Sequence, residues 1–413
     1  MRRLPLLLCV PALLLLAWPH APAPLASRAH RSGGSRASAD LAARSQFTGS
    51  PDSLRFGIAA ALSGDGLTAL VGGDDQVSVF RRAGRSEAFG SRPVAVLTGR
   101  PGADFGGALA ISADGATLLI GADWENRAYI YTAGRSPSAP PILAAVLPDP
   151  DPAARAYARF GVALALSADG RTALVSASEQ GRVYRYGPPW GGASPVRPQQ
   201  VLLGPAVPTV PGGDEGFGPA LALSSDGRLA LVGEAAREQA YPWRRPVGSA
   251  RFAARPAATL LDPGPAQVRG LNAGFGQSVA LAGDGRSALV ATEGAGIVYR
   301  YALQAGGTGT TPAATELVRS GRYGLGHSLA LDGAGRTAVV GDIGKATAAA
   351  YRGIGLPAPP GPVALAQGAD EAGLGPGGDF GLNSAVSADG RTAMVGETAG
   401  NTVYVYDLGG AGA

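Results

Sequence analysis

The stretch that decides the fold, Arg159 to Tyr186, reads RFGVALALSADGRTALVSASEQGRVYRY, and close copies of it recur along the chain. Six copies open on a Phe-Gly pair and one opens on Leu-Gly. The openings are Phe56, Phe105, Phe160, Phe217, Phe275, Leu325 and Phe380, spaced 49 to 58 residues apart. Self-similarity at such a period is typical of solenoids, propellers and repeat arrays, so the repeat is interpreted before any single residue.

Each copy contains three short runs that we interpret as β-strands. Residues 162–166 and 172–175 are apolar or nearly so, and the turn Asp169-Gly170 lies between them, which is the pattern of a β-hairpin. Runs that are apolar on both faces are typical of strands buried on both sides. The third run, residues 182–186, is rich in the aromatic and β-branched residues that strands favour.

A fourth short apolar run follows each third run, after a loop rich in Pro and Gly. These fourth runs span residues 94–98, 142–147, 200–203, 257–261, 315–318 and 362–366. Four strands per copy, in a ring of copies, form a β-propeller with four-stranded blades around a central channel. Seven openings therefore predict an all-β fold, a seven-bladed β-propeller over residues 41–413.

The last copy predicts how the ring closes. It ends on the run Thr402 to Tyr406 and has no fourth run after it. Residues 45–51, before the first copy, align with residues 95–101, before the second, so they are a fourth strand without a blade of their own. We expect residues 41–48 to pair with Thr402 to Tyr406 and complete the seventh blade, because this pairing removes two exposed strand edges.

The N-terminus has the layout of a secretory signal. Arg2 and Arg3 precede an apolar region, residues 4–18, and a segment rich in small residues, 21–26, in which cleavage could occur. The apolar region is shorter than the roughly 18–20 residues of a membrane-spanning helix. We predict a signal peptide at residues 1–26, a flexible leader at residues 27–40, a secreted or cell-surface protein, and no stable membrane insertion. An uncleaved anchor is the alternative.

Composition argues against several classes of function. The formal net charge is only +4, which is too small for the basic footprint of a nucleic-acid-binding protein. Cys9, the sole cysteine, lies in the predicted signal peptide, and of three histidines only His327 lies in the repeats. This argues against zinc sites and against Ser-His or Cys-His nucleophile pairs. We expect a monomer with no catalytic residues, no metal and no cofactor, in which His327 is structural.

The repeat unit, FGxALALSxDGRTALVG followed by VYxY, resembles the FG-GAP repeat of integrin α-subunit propellers and of many secreted bacterial proteins. It resembles in particular the bacterial variant, in which a Ser-x-Asp-Gly turn follows the first strand. The resemblance covers about residues 46–406. It implies the propeller fold and says much less about function, because one fold hosts many activities.

The Asp-Gly turns between the first and second strands are one candidate site. They contain Asp65, Asp114, Asp169, Asp226, Asp284 and Asp389, with Ala334 in the sixth copy. In many FG-GAP repeats this loop is longer and resembles a calcium site, and calcium takes about 6–8 oxygen ligands. Because each loop here offers one carboxylate, we interpret the Asp as a side chain that caps a tight turn, with Gly at a position of positive φ.

Acidic residues after the second strand are another candidate. The tentative binding residues are Asp74, Asp123, Trp124, Glu179, Glu234, Glu293, Asp342 and Glu397. Strand alternation places these turns on the face opposite the Asp-Gly turns, where the acids would form a negative rim around the channel mouth. Such a rim could attract a cation or a basic peptide; the alternative is that the acids are simply solvated. Integrin-like propellers bind partners on this face, and Trp124 could anchor a partner, stack on a sugar or pack on a neighbouring blade.

Three functions remain open at this point. The leading one is a secreted, non-enzymatic binding or adhesion scaffold whose ligand is a protein or a glycan. The second is a hydrolase or lyase with carboxylates at the channel mouth, such as Asp123 or Glu397 beside an arginine. The third is a lectin-like propeller, which predicts the same polar and aromatic set in every groove between blades.

Overall fold

The computed structural model describes residues 40–409, except residues 51–52, 54, 135, 137, 152–157, 192–195, 206–215, 265–272, 304–311 and 368–377. The predicted signal peptide and all but the last residue of the predicted leader lie outside this part of the chain. The described residues form seven four-stranded antiparallel sheets, as the repeat predicts. Within them, no helix is long and apolar enough to cross a membrane.

The sheets are the blades, and each runs from an inner first strand to an outer fourth strand. Blade one is β2 (Ala59–Leu62), β3 (Thr68–Gly73), β4 (Gln76–Arg81) and β5 (Ala95–Thr98). Blade two is β6 (Phe105–Ile111), β7 (Thr117–Ala122), β8 (Arg127–Thr132) and β9 (Ile142–Pro148). Blade three is β10 (Phe160–Leu166), β11 (Ala173–Ala177), β12 (Arg182–Tyr186) and β13 (Gln200–Leu203). Blade four is β14 (Phe217–Leu223), β15 (Leu229–Glu234), β16 (Gln239–Arg244) and β17 (Leu260–Leu261).

The remaining blades follow the same order. Blade five is β18 (Phe275–Leu281), β19 (Ser287–Thr292), β20 (Ile297–Ala302) and β21 (Ala314–Arg319). Blade six is β22 (Leu325–Leu331), β23 (Ala338–Asp342), β24 (Thr347–Tyr351) and β25 (Val363–Leu365). Blade seven is β26 (Asn383–Val386), β27 (Thr392–Glu397), β28 (Thr402–Asp407) and, as its outer strand, β1 (Ser45–Thr48).

The N-terminal strand closes the ring, as predicted. Gln46 lies opposite Tyr404 and Phe47 opposite Val403 in an antiparallel pair. Phe47 is fully buried, and its ring stacks on Phe80 of blade one at 3.8 Å between centroids. The expected pairing is wrong at its start, since Leu41 bridges Leu365 instead and so covers the outer edge of blade six. The chain therefore crosses from one blade edge to the next before it enters β1.

The Phe-Gly pair has a packing role between blades. Phe160 is fully buried in a cluster that also contains Leu119 and Ile130 of blade two, so the ring fills the space between blades. Gly161 has a φ of +100°, and a Cβ there would lie 2.5 Å from the carbonyl oxygen of Arg127. Only glycine meets both conditions without strain, and the first strand changes register at this point.

The Asp-Gly turns define one face of the propeller, which we call the Asp-Gly face. Asp169 Oδ1 accepts hydrogen bonds from Ser167 Oγ at 2.6 Å and from the backbone N–H of Arg171 at 2.9 Å. Gly170 has a φ of +67°. This geometry confirms that the aspartate caps a tight turn. In blade six, where Ala334 replaces the aspartate, Asp332 accepts the backbone N–H groups of Arg336 and Thr337 instead.

A ring of backbone hydrogen bonds links the seven turns of the Asp-Gly face. Each turn donates an N–H to a carbonyl of the next, at 2.8 to 3.0 Å. The donors are Asp65, Ala113, Ala168, Ser225, Asp284, Gly333 and Ala388, and the acceptors are Ala113, Ala168, Ser225, Gly283, Gly333, Ala388 and Gly64. The first strands of all neighbouring blades also contact one another. Together these contacts show a closed seven-bladed ring.

Candidate functional site

The opposite face carries the turns between second and third strands, and we call it the variable face because these turns differ from blade to blade. The predicted acids occupy several positions in these turns. Glu234, Asp342 and Glu397 end the second strand of their blades. Asp123 and Glu293 begin a short 3-10 turn, and Glu179 is the second residue of such a turn. Asp74 lies in a turn of only two residues in blade one.

Most of these carboxylates are buried. Asp123, Glu234, Glu293, Asp342 and Glu397 are all inaccessible or nearly so, Glu179 is half-buried and Asp74 is exposed. The buried acids fit neither interpretation of the sequence, because a negative rim and simply solvated acids both require exposed carboxylates. Their partners lie in their own blade, in the loop before it or in the next blade. Whether any of these residues binds a ligand stays a prediction.

The buried acids at strand ends satisfy polar groups inside the fold. Glu234 accepts the Tyr241 hydroxyl at 2.7 Å, and this contact adds to burial in raising the pKa of the tyrosine. Both carboxylate oxygens of Glu397 accept the Gln367 amide, at 2.8 Å. Burial raises the pKa of Asp342 above its usual value. These contacts tie each turn to its own blade or to the preceding one.

The acids at turn starts contact the next blade. Glu293 of blade five lies 2.8 Å from Nδ1 of His327, the histidine of blade six. The nearby charge of Glu293 is also the main cause of a raised pKa at Tyr323, which is exposed. His327 therefore has a carboxylate partner between two blades, which fits the structural role expected from the sequence.

A row of four charged side chains crosses blades one to three on the variable face. Arg55 pairs with Asp104, the Asp104 carboxyl hydrogen-bonds Asp123, and Asp123 pairs with Arg159 at 2.9 Å. Burial and then the bond to Asp104 raise the pKa of Asp123 to about 6, and Arg159 opposes the shift. Both arginine side chains are partly exposed, at 41% and 47%, whereas the Asp123 side chain is 4% exposed. The charge presented to solvent along this row is therefore positive.

Trp124 lies in the middle of this region. It is 66% exposed, which excludes packing against a neighbouring blade as its main role. It is the central residue of the 3-10 turn Asp123–Glu125, which ends at Asn126 in a left-handed conformation. Arg159 pairs with the residue before Trp124, and Arg100 lies 3.8 Å from the carboxylate of the residue after it, Glu125. The indole is thus held on a short turn between two exposed arginines.

Sequence reasoning missed Arg55, Asp104 and Arg159. Each immediately precedes a Phe-Gly opening, at a position that is Gly in blades four, five and six. Asp104 and Arg159 both have positive φ, near +58° and +52°. A charged residue where three other repeats have glycine is a visible signal, because a residue with a Cβ at positive φ accepts backbone strain.

Another missed set ties the turns to the next blade through the main chain. The Asn126 side chain accepts the backbone N–H of Phe160, and Glu238 accepts that of Phe275, at 3.1 and 2.7 Å. Asp75 accepts the N–H of Phe105 at 3.0 Å. Asn126 thus binds the next blade, whereas Trp124, in the same turn, faces solvent.

The fold and these turns define the class: a seven-bladed β-propeller. Among solved structures the chain is similar to the β-propeller domain of Cps50 (Swd1) from Myceliophteria thermophila, with a TM-score of 0.58 and 12% sequence identity. The alignment covers 85% of this chain and 96% of that one. At this identity the likeness shows the fold alone. No family model matches the chain, and no curated protein matches it.

Proposed function

We propose that this chain is an exported, non-enzymatic propeller that binds a protein partner through the Trp124 surface. We define this surface as Trp124 with Arg55, Arg100 and Arg159. The observation that carries the proposal is the 66% exposure of a tryptophan held on a tight turn between arginines. Trp and Arg are enriched among residues that dominate protein–protein binding energy, and a rigid anchor loses little entropy on binding.

The charges of the surface favour an acidic or apolar partner segment. The side chains of Arg55 and Arg159 are partly exposed, and the aspartates they pair with are far less exposed. Arg100 is the most exposed of the three. An acidic segment would meet positive potential here and would approach faster at low salt. This reverses the sign expected from the sequence, where the acids suggested a basic ligand.

A protein partner fits these observations better than a glycan does. A lectin-like propeller repeats its site in each groove, but strand register places Glu179, Ala236 and Gly294 where blade two has Trp124. The resemblance of the repeat to FG-GAP propellers, some of which bind proteins on this face, supports the same choice. Adhesion at a cell surface is one form that such binding would take.

An array of peptides and glycans, probed with the purified full chain, tests the proposal. We expect binding to acidic peptides that contain apolar residues, with loss of binding in Trp124→Ala. The control is Arg171→Ala, an exposed residue on the Asp-Gly face, which should bind as the wild type does. Binding to glycans alone, or equal binding by Trp124→Ala, would contradict the proposal.

A hydrolase or lyase that uses Asp123 is the second candidate. A carboxyl group with a pKa of about 6 beside an arginine is a feature of general acids. However, its 4% exposure leaves a substrate little access to the reacting oxygen. Turnover of any ester or glycoside that is lost in Asp123→Asn and kept in Trp124→Ala would favour the enzyme over the scaffold.

Export is proposed from the N-terminal sequence. Arg2 and Arg3, the apolar residues 4–18 and the small residues at 21–26 support a cleaved signal. N-terminal sequencing of the protein recovered outside the cell should begin within or just after residues 21–26. Recovery of the intact N-terminus in the membrane fraction would favour the uncleaved anchor instead.

A further inference from the structure

Five of the seven blades have a tyrosine at the same position of the third strand, and blade one does not. Strand register aligns these tyrosines opposite the same second-strand position in each blade. They are Tyr129, Tyr184, Tyr241, Tyr299 and Tyr404 in blades two, three, four, five and seven. The aligned residue is Ser78 in blade one and Ala349 in blade six. Two blades therefore lack the ring.

Where the tyrosine is present, it fills the groove towards the preceding blade. Its ring packs on the phenylalanine of its own Phe-Gly pair, with centroids 5.3 to 6.0 Å apart in blades two, three, four and seven. In blades two, three and four its hydroxyl donates to an oxygen at the variable face. Tyr184 donates to Gln180 at 3.0 Å, and Tyr241 donates to Glu234 at 2.7 Å.

Blade one has a cavity at the position of the missing ring. It has a volume of about 410 Å³ and lies between β1 of blade seven and β4 of blade one. Phe56, the phenylalanine of the first Phe-Gly pair, lines it together with Ser78 and Phe80. A volume of this size is within the range of small-molecule and side-chain pockets, about 300–1,000 Å³. It exceeds the space that one phenol ring needs.

The cavity also has an acceptor for a hydroxyl group. The turn of blade one has two residues instead of the longer turn seen elsewhere, and its Asp74 lines the cavity mouth. Asp74 Oδ2 accepts the Ser53 hydroxyl and lies 3.4 Å from the backbone nitrogen of Arg55. An ionised carboxylate is an acceptor only, so it presents to the cavity a group that a hydroxyl can donate to. Thr48 and Gln76 add polar groups along the groove.

We propose that this cavity is a binding pocket for the side chain of a tyrosine in a polypeptide. The incoming ring would pack on Phe56, its hydroxyl would donate to Asp74, and the peptide chain would run along Thr48 and Gln76. A tyrosine of the bound polypeptide would then make the ring contact with phenylalanine that the chain's own tyrosine makes in blades two, three, four and seven. The small side chain of Ser78 leaves the pocket open, because a tyrosine at that position would fill it.

Blade six supplies the internal control. Its Ala349 also lacks the tyrosine, but Leu325 replaces the phenylalanine of the Phe-Gly pair, so no aromatic face is offered. A tyrosine introduced at position 349 should therefore leave phenol binding unchanged. The pocket does not depend on the Trp124 surface, and Trp124→Ala should leave it intact as well.

Calorimetry of the purified full chain with the tripeptide Gly-Tyr-Gly tests the pocket. We expect a Kd of roughly 1 mM or lower, as for a small ligand with one buried ring. Gly-Phe-Gly should bind about tenfold more weakly, because it leaves Asp74 without the hydroxyl. Ser78→Tyr should abolish binding and raise the melting temperature, since the chain then fills its own cavity. Ala349→Tyr should bind Gly-Tyr-Gly as the wild type does.

Several results would overturn the proposal. These are no binding by the wild type, equal binding by Ser78→Tyr, and loss of binding in Ala349→Tyr. Asp74→Asn should reduce the preference for Tyr over Phe and keep the melting temperature of the wild type, so an unchanged preference also counts against the pocket. The free phenol p-cresol should bind more weakly than the tripeptide. Equal affinity would mean that the ligand is a free phenol and not a polypeptide.

Discussion

The two faces of the propeller are built from the same repeat, but the turns of one face are alike in most blades and the turns of the other differ. On the Asp-Gly face, blades one, two, three, four and seven make the same Ser-Asp hydrogen bond. All seven turns join one ring of backbone hydrogen bonds. On the variable face, the acids occupy different positions and have different partners, and blade one has a shortened turn.

The Asp-Gly turns are more constrained by neighbouring blades than the turns of the variable face are. Each Asp-Gly turn is held by its neighbour on either side, so a change in one turn disturbs the ring. Each variable turn is held by its own blade and by the loop that enters the next blade, so it can change alone. A single tryptophan in blade two and a single serine in blade one could therefore specialise the variable face without loss of the fold.

The largest expected effect on stability comes from β1, the strand that closes the ring. Phe47→Ala should lower the free energy of unfolding by about 3–5 kcal/mol, because a fully buried ring leaves a cavity at the closing seam. Urea unfolding measures this effect. Leu203→Ala, in the exposed part of an outer strand, is the control and should change stability by less than about 0.5 kcal/mol. Equal effects would mean that β1 does not close the ring.

On the Asp-Gly face, Gly170→Ala should cost about 2–4 kcal/mol. The new Cβ would lie 2.5 Å from Oγ1 of Thr117 in the neighbouring blade, and φ is +67°. Gly248→Ala separates the two causes, because Gly248 has a φ of +78° with nothing within 4 Å. It should show only the backbone part, about 1–2 kcal/mol. Equal losses in urea unfolding would rule out the contact between blades as a cause.

One carboxylate on each face, Asp123 and Asp389, should respond to pH with opposite signs. The folded-state pKa of Asp123 is about 6 against a usual 3.8, so its contribution to stability falls as pH rises from about 4 to 6. Asp123→Asn has no carboxyl group to titrate at this position. Its free energy of unfolding should therefore rise relative to that of the wild type by up to about 2–3 kcal/mol across that range. Urea unfolding at several pH values between 3 and 8 gives the comparison.

Asp389 on the Asp-Gly face is the counterpart. Burial raises its pKa, but hydrogen bonds from Ser387 and Arg391 and the charges of Arg85 and Arg391 outweigh this and hold the pKa below its usual value. Its contribution to stability is present above the usual pKa and is lost as pH falls through the folded-state value. Asp389→Asn should therefore lose stability relative to the wild type at neutral pH and recover parity in acid. The same sign in both variants would contradict the contrast between the faces.

The smallest effect on stability is expected where the effect on binding is largest. Trp124→Ala should change the free energy of unfolding by less than about 0.5 kcal/mol, because the side chain is mostly solvated. Thermal or urea unfolding of this variant checks the expectation. A loss above about 2 kcal/mol would show that the indole is a packing residue.

The repeat predicted most of the fold because its signals are local. Phe160-Gly161 marks the entry to a first strand, Asp169-Gly170 marks the turn after it, and the fourth strand missing from the last copy predicted the place of β1. The site was harder to predict because burial depends on neighbours. Nothing in the sequence around Glu397 shows that Gln367, in the loop that enters its blade, will bind it.

Two features were visible in the sequence and need the structure for their meaning. Ser78 stands where five other blades have a tyrosine, but only the pairing register shows that the positions are equivalent. Asp104 stands where other copies have glycine, but its bond to Asp123 depends on the arrangement of two turns. The chemistry of a propeller face arises between blades, whereas the sequence pattern describes one blade at a time.

The central claim is that the variable face, through Trp124, binds the partner. Hydrogen–deuterium exchange of the full chain, with and without the tightest-binding peptide from the array, tests it most directly. We predict that the peptide slows amide exchange at residues 123–127 and leaves residues 169–172, on the Asp-Gly face, unchanged. Slower exchange at residues 169–172 with no change at residues 123–127 would contradict the claim.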